Sequence, residues 1–82
     1  MAVTGSARFK SLVADFAVTA AELGYPVQEH LVAAELHQRI AVAALAIGVS
    51  EQWVLRTYCD DSWGRDAARK ACTEVASTRS MS

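Results

Sequence analysis

"AALAIGVSEQWVLRTY", residues 43–58, decides how this chain of 82 residues is read. Its first five positions continue an apolar helical pattern from upstream. Gly48 interrupts that pattern, Ser50 follows, and apolar spacing resumes at Val54. Glycine takes φ > 0 without steric cost and so ends helices, while a serine at a helix start accepts a hydrogen bond from an orphan N–H. The stretch predicts the end of one helix, a tight turn at Gly48, and a second helix over 51–59.

Upstream of the corner, Phe9, Leu12, Val13, Phe16, Ala20 and Leu23 recur at three- and four-residue steps. That stripe predicts a helix over 6–23, capped by Ser6 and ended by Gly24. Tyr25-Pro26 redirects the chain, and Pro26 suits the first turn of a second helix over 26–47. This helix has two apolar faces. Val27, Leu31, Ala34, Ala41, Val42 and Leu45 form one, and Val32, Leu36, Ile40, Ala43 and Ile47 the other. A helix apolar on both sides belongs at the centre of its fold. Nothing in "LHQRIAV" (36–42) is a breaker, so one continuous central helix is expected, with two helices broken near Gln38 as the alternative.

Downstream, Asp60 or Asp61 is placed to cap a helix over 62–76. Its stripe of Gly64, Ala67, Ala68, Ala71, Cys72 and Val75 allows a close helix approach but little apolar burial. Asp66 and Lys70 stand at i, i+4 for an ion pair. The polar end "STRSMS", 77–82, is expected to be a flexible tail on a single domain of residues 1–76.

Composition agrees with helices. Hydrophobic residues make up 52% and aromatic ones only 7%, with one proline, so the surplus is Ala, Val and Leu. The formal net charge of −1 lacks the basic excess of proteins that hold nucleic acid by charge alone. The imbalance is regional: residues 1–38 carry two bases against four acids, and residues 39–82 six against five. No secretory leader pattern and no uncharged run of membrane-spanning length is apparent, and Cys59 and Cys72 form no CxxC pair. The expectation is a reduced cytoplasmic protein without a membrane partner.

A tight helical corner needs a small residue at the crossing, a residue able to take φ > 0, an apolar plug and a cap. Ala44, Gly48, Val49 and Ser50 supply these in order, and Val54 follows one turn later as a core residue. Residues 40–59 thus resemble the general helix-turn-helix pattern A-x3-G-V-S-x3-V of DNA-binding proteins. The resemblance implies an all-α bundle of about four helices whose third helix enters a major groove of double-stranded DNA. Ser50, Glu51, Gln52, Leu55 and Arg56 would then face the groove, with Val54 and Tyr58 inward and Trp53 beside the reading face. Gln52 suits paired hydrogen bonds to adenine, and Arg56 suits guanine or a phosphate. Glu51 opposes this role, because it sets a carboxylate among phosphates, although it suits a helix N-terminus. Arg65, Arg69, Lys70 and Arg79 would position the protein on phosphates. The plain structural alternative is a corner that only packs a core.

Other chemistry is not indicated. His30 and His37 lack the i, i+4 spacing of a zinc helix, so no metal or cofactor is expected. Asp60, Asp61 and Asp66 are explained by capping and helix pairing. No nucleophile–base set or phosphate loop is present, and an enzyme is not expected. Val18, Leu55 and the second apolar face of the long helix exceed what a small monomer covers, which predicts a homodimer or a protein partner. The competing functional reading is a non-catalytic helical interaction module, antitoxin-like or of the phage-inhibitor type, that binds a larger protein.

Overall fold

The computed structural model describes residues 5–60 and 62–80. They form four helices, α1 (Ala7–Glu22), α2 (Glu29–Ile47), α3 (Glu51–Thr57) and α4 (Trp63–Ser80), and no strand occurs among them. The protein is a small all-α bundle with a helix-turn-helix-like corner at Gly48.

Local chemistry sets most of the boundaries. Ser6 caps α1, its hydroxyl accepting from the Phe9 amide at 3.1 Å. Past the end of α1, Gly24 sits at φ 92°. The Tyr25 amide then returns to the Ala20 carbonyl at 2.8 Å, and the Tyr25 ring packs against the core. With Tyr25 tied there, Pro26 to Gln28 cross to the next helix without helical structure, so α2 begins at Glu29, three residues later than its proline suggests. α2 is continuous across residues 36–42.

α1, not α2, is the centre of the bundle: it packs against both α4 and α2. α2 runs back along it, with the Phe9 ring edge-on to His37 and Val13 sharing a groove with Glu29 and Ala33. α4 follows α1 in the same direction. Gly64 lies on Leu12 and Asp15, while Ala71 and Cys72 share a groove with Phe16 and Ala20.

The core joins Phe9, Leu12, Val13 and Phe16 of α1 to Val32, Leu36, Ile40 and Ala44 of α2. Val54 and Leu55 of α3 enter it, as do Ala67, Ala68 and Cys72 of α4. Only one of the two apolar faces of α2 is therefore buried. Leu31, Val42 and Leu45 stay exposed on the other, and Ile47, at the helix end, is exposed as well. The expectation of a central α2 is corrected, because α1 alone stands between two long neighbours. α2 is also the one described helix long and apolar enough to cross a membrane by length and composition. That composition follows from having two apolar faces, one of which packs on α1 and α3.

α4 continues to Ser80, so helix extends beyond 76 into the segment expected to be a flexible tail. The hydroxyls of Thr73 and Thr78 donate to the Arg69 and Glu74 carbonyls, keeping polar groups of this end within the helix. Val75 is exposed, so the small-residue stripe closes at Cys72. Asp60 makes the turn into α4: its carboxylate accepts from the Ser62 amide at 3.1 Å and from the Ser62 hydroxyl at 3.0 Å. Asp61 lies outside the described residues. Asp66 pairs with Arg69 at 3.2 Å, three residues on, rather than with the expected Lys70.

Candidate nucleic-acid interface

The corner forms where its residues predict. Gly48 takes φ 84°, and the amides of Gly48 and Val49 both return to the Ala44 carbonyl, at 2.8 and 3.0 Å. Ala44 is buried at the crossing, and Val49 packs against the core as the plug. Ser50 caps α3, its hydroxyl accepting from the Trp53 amide at 3.1 Å. Val54 is buried.

Two ties set the angle of α3. At its start, His37 Nε2 on α2 meets Glu51 Oε1 at 2.8 Å. At its end, the Arg8 guanidinium of α1 donates to the carbonyls of Leu55 and Cys59. A cation on the last carbonyls of a helix satisfies groups that have no partner within the helix and favours the negative end of its dipole. α3 has seven residues and little intrinsic stability, so these contacts hold its orientation.

That orientation rearranges the predicted face. Leu55 is only 4% exposed and belongs to the core, whereas Tyr58 is 54% exposed. Both expectations are corrected for one reason. α3 is wedged against α2 at one end and α1 at the other, so the adjacent residues Val54 and Leu55, ~100° apart on the helix, both turn inward. Tyr58 stands one position past the last helical residue and leans edge-on against Trp53, centroids 5.5 Å apart. Trp53 is half-buried.

The surface left on α3 contains Ser50, Gln52 and Arg56, all exposed. Glu51 is drawn to His37, which holds its carboxylate toward α2 at 2.8 Å. Arg65, Arg69 and Lys70 are exposed on α4. Arg65 borders a groove with Arg8, Ser11, Asp15 and Asp60, where acidic groups accompany the bases. Arg69 is engaged with Asp66. The side chain of Arg79 lies outside the described set. Gln52 and Arg56 stand on consecutive turns of one short helix, both exposed.

Reasoning from sequence missed Arg8, His37 and Glu51 as the groups that aim α3. Their separations of 14 to 51 residues leave no local signal. Cys59 and Cys72 are free and buried. Burial pushes the Cys59 thiol up from 9.0 to about 11; Arg8 opposes the shift and Asp60 adds to it. Such a thiol is a packing group, not a nucleophile. Among the described residues, no group of three or more metal-ligating side chains gathers. Compared with protein-family models, curated proteins and solved structures, the chain has no significant match.

Proposed function

We propose that the protein is a small helix-turn-helix DNA-binding regulator. It acts in the cytoplasm by occupying a site on double-stranded DNA and catalyses nothing. The observation that supports this reading is the outer face of α3, directly after the glycine corner, where Gln52 and Arg56 are exposed while Val54 and Leu55 anchor the helix from behind. Gln52 offers a donor and an acceptor to adenine, Arg56 a fork to guanine or phosphate, and Ser50 a hydroxyl to the backbone. Arg65, Arg69 and Lys70 add phosphate contacts. With four described basic groups per chain, the electrostatic part of binding is modest, and log K falls against log salt with a slope of about −3 to −4 for each chain bound.

Titration of the protein against random duplex DNA at two salt concentrations tests the reading. Binding should weaken at higher salt, and Arg56→Ala should weaken it further and flatten the slope by about one. No binding even at low salt overturns the proposal. One observation favours the alternative of a helical interaction module: the apolar face left open on α2, which a larger protein could cover.

A further inference from the structure

The open face of α2 has a regular pattern. Leu31, Ala34, Gln38, Ala41 and Leu45 follow one another at steps of 3, 4, 3 and 4 residues, the spacing of a coiled-coil seam, opposite Val32, Leu36, Ile40 and Ala44 in the core. Leu45 is 86% exposed, Leu31 59% and the adjacent Val42 60%. The sole polar member, Gln38, lies at the middle. On one flank stand Glu35 and Arg39, bonded to each other at 3.1 Å and placed symmetrically about residue 37.

We propose that a second copy of the same chain covers this seam, with the two α2 helices antiparallel about a two-fold axis near residue 37. Such an axis returns each flank to itself, so Glu35 of one copy faces Arg39 of the other, and Arg39 faces Glu35. At 1.5 Å per residue it seats Leu31 between the other copy's Ala41 and Leu45, and sets the two Gln38 amides side by side at the centre. Amides can donate and accept at once, so the one polar residue of the seam is satisfied by its own copy. A parallel pair lacks this, because the Glu35–Arg39 flank then faces the histidine side of the partner helix. The seam is about 21 Å long, which places the dimer at the small end of stable interfaces with a micromolar Kd. The proposal stands on α2 alone and holds whether or not α3 meets DNA.

Sedimentation equilibrium of the full chain from about 1 to 300 µM, a range that brackets a micromolar Kd, reads it directly. The parent should pass from monomer to dimer. Leu45→Glu should stay monomeric throughout, with an unchanged helical spectrum because Leu45 makes no core contact. Glu35→Arg and Arg39→Glu, each of which sets like charges across the axis, should dimerise at least tenfold more weakly alone. Mixed in equal amounts, they should recover association as a heterodimer, which an effect on the monomer fold cannot produce. A parent that is monomeric at every concentration overturns the proposal. So does a dimer that survives Leu45→Glu, since another face must then hold it, or single charge variants that do not recover on mixing. Association seen only with lipid vesicles assigns the stripe to a membrane surface instead.

Discussion

Two helix contacts in this bundle depend on glycine, for different physical reasons. Where α4 crosses α1, a Cβ on Gly64 would stand 2.7 Å from the Leu12 carbonyl oxygen and 3.3 Å from the Asp15 Cβ. The residue is absent of side chain because two backbones touch there. At the corner between α2 and α3, a Cβ on Gly48 would meet nothing within 4 Å, yet the backbone sits at φ 84°. Here space is free and conformation is not. One contact needs glycine for its size, the other for its φ, and the same substitution need not be tolerated alike at both.

Gly64→Ala should have the largest effect. The obstructing atom is backbone, so the helices must part, and about 3 kcal/mol should be lost, the upper range for overpacking. Gly64→Asn should be at least as harmful. Thermal or urea unfolding measures both, and a Gly64→Ala variant as stable as the parent would refute the close crossing.

Cys59 joins the two regions, since it follows α3 and its carbonyl accepts from Arg8 of α1. Its thiol is raised in the folded state, so the folded form holds its proton more tightly than the unfolded chain does. That contribution is complete below about pH 9 and is lost as pH rises through about 11. Parent stability should fall by about 2–3 kcal/mol more than that of Cys59→Ala over this window. Parallel pH profiles for the two proteins would show that the thiol is not desolvated.

Gly48 should be the mildest and the most selective. Gly48→Ala should cost about 1–2 kcal/mol from left-handed strain alone, and Gly48→Asn clearly less, because asparagine tolerates this region. The contrast between the sites is the test: asparagine should be the gentler replacement at 48 and bring no relief at 64. Equal ranking at both positions would mean that a single cause operates.

Much of the corner was legible in the residues. Gly48, Ser50, Ser6 and Gly24 act through bonds to atoms at most five residues away, and such effects are written in local order. The small stripe of α4 was also legible, because a glycine within a helical pattern implies a close neighbour. The face of α3 was only half legible. Gln52 and Arg56 point outward as their spacing implies, but Leu55 and Tyr58 exchange roles. With two turns or fewer, α3 has too weak a stripe to define its own inward side, and Arg8 and the His37–Glu51 pair define it instead.

The sequence by itself therefore determined four helices, the caps at Ser6 and Ser50 and the left-handed turn at Gly48, since each depends on the conformational energy of a few adjacent residues. Only the tertiary structure decided which apolar face of α2 is core, that α1 is the hub, and how far α3 is rolled. Those depend on helices competing for the same partner surface, and hydrophobicity has no direction until a neighbour occupies one side.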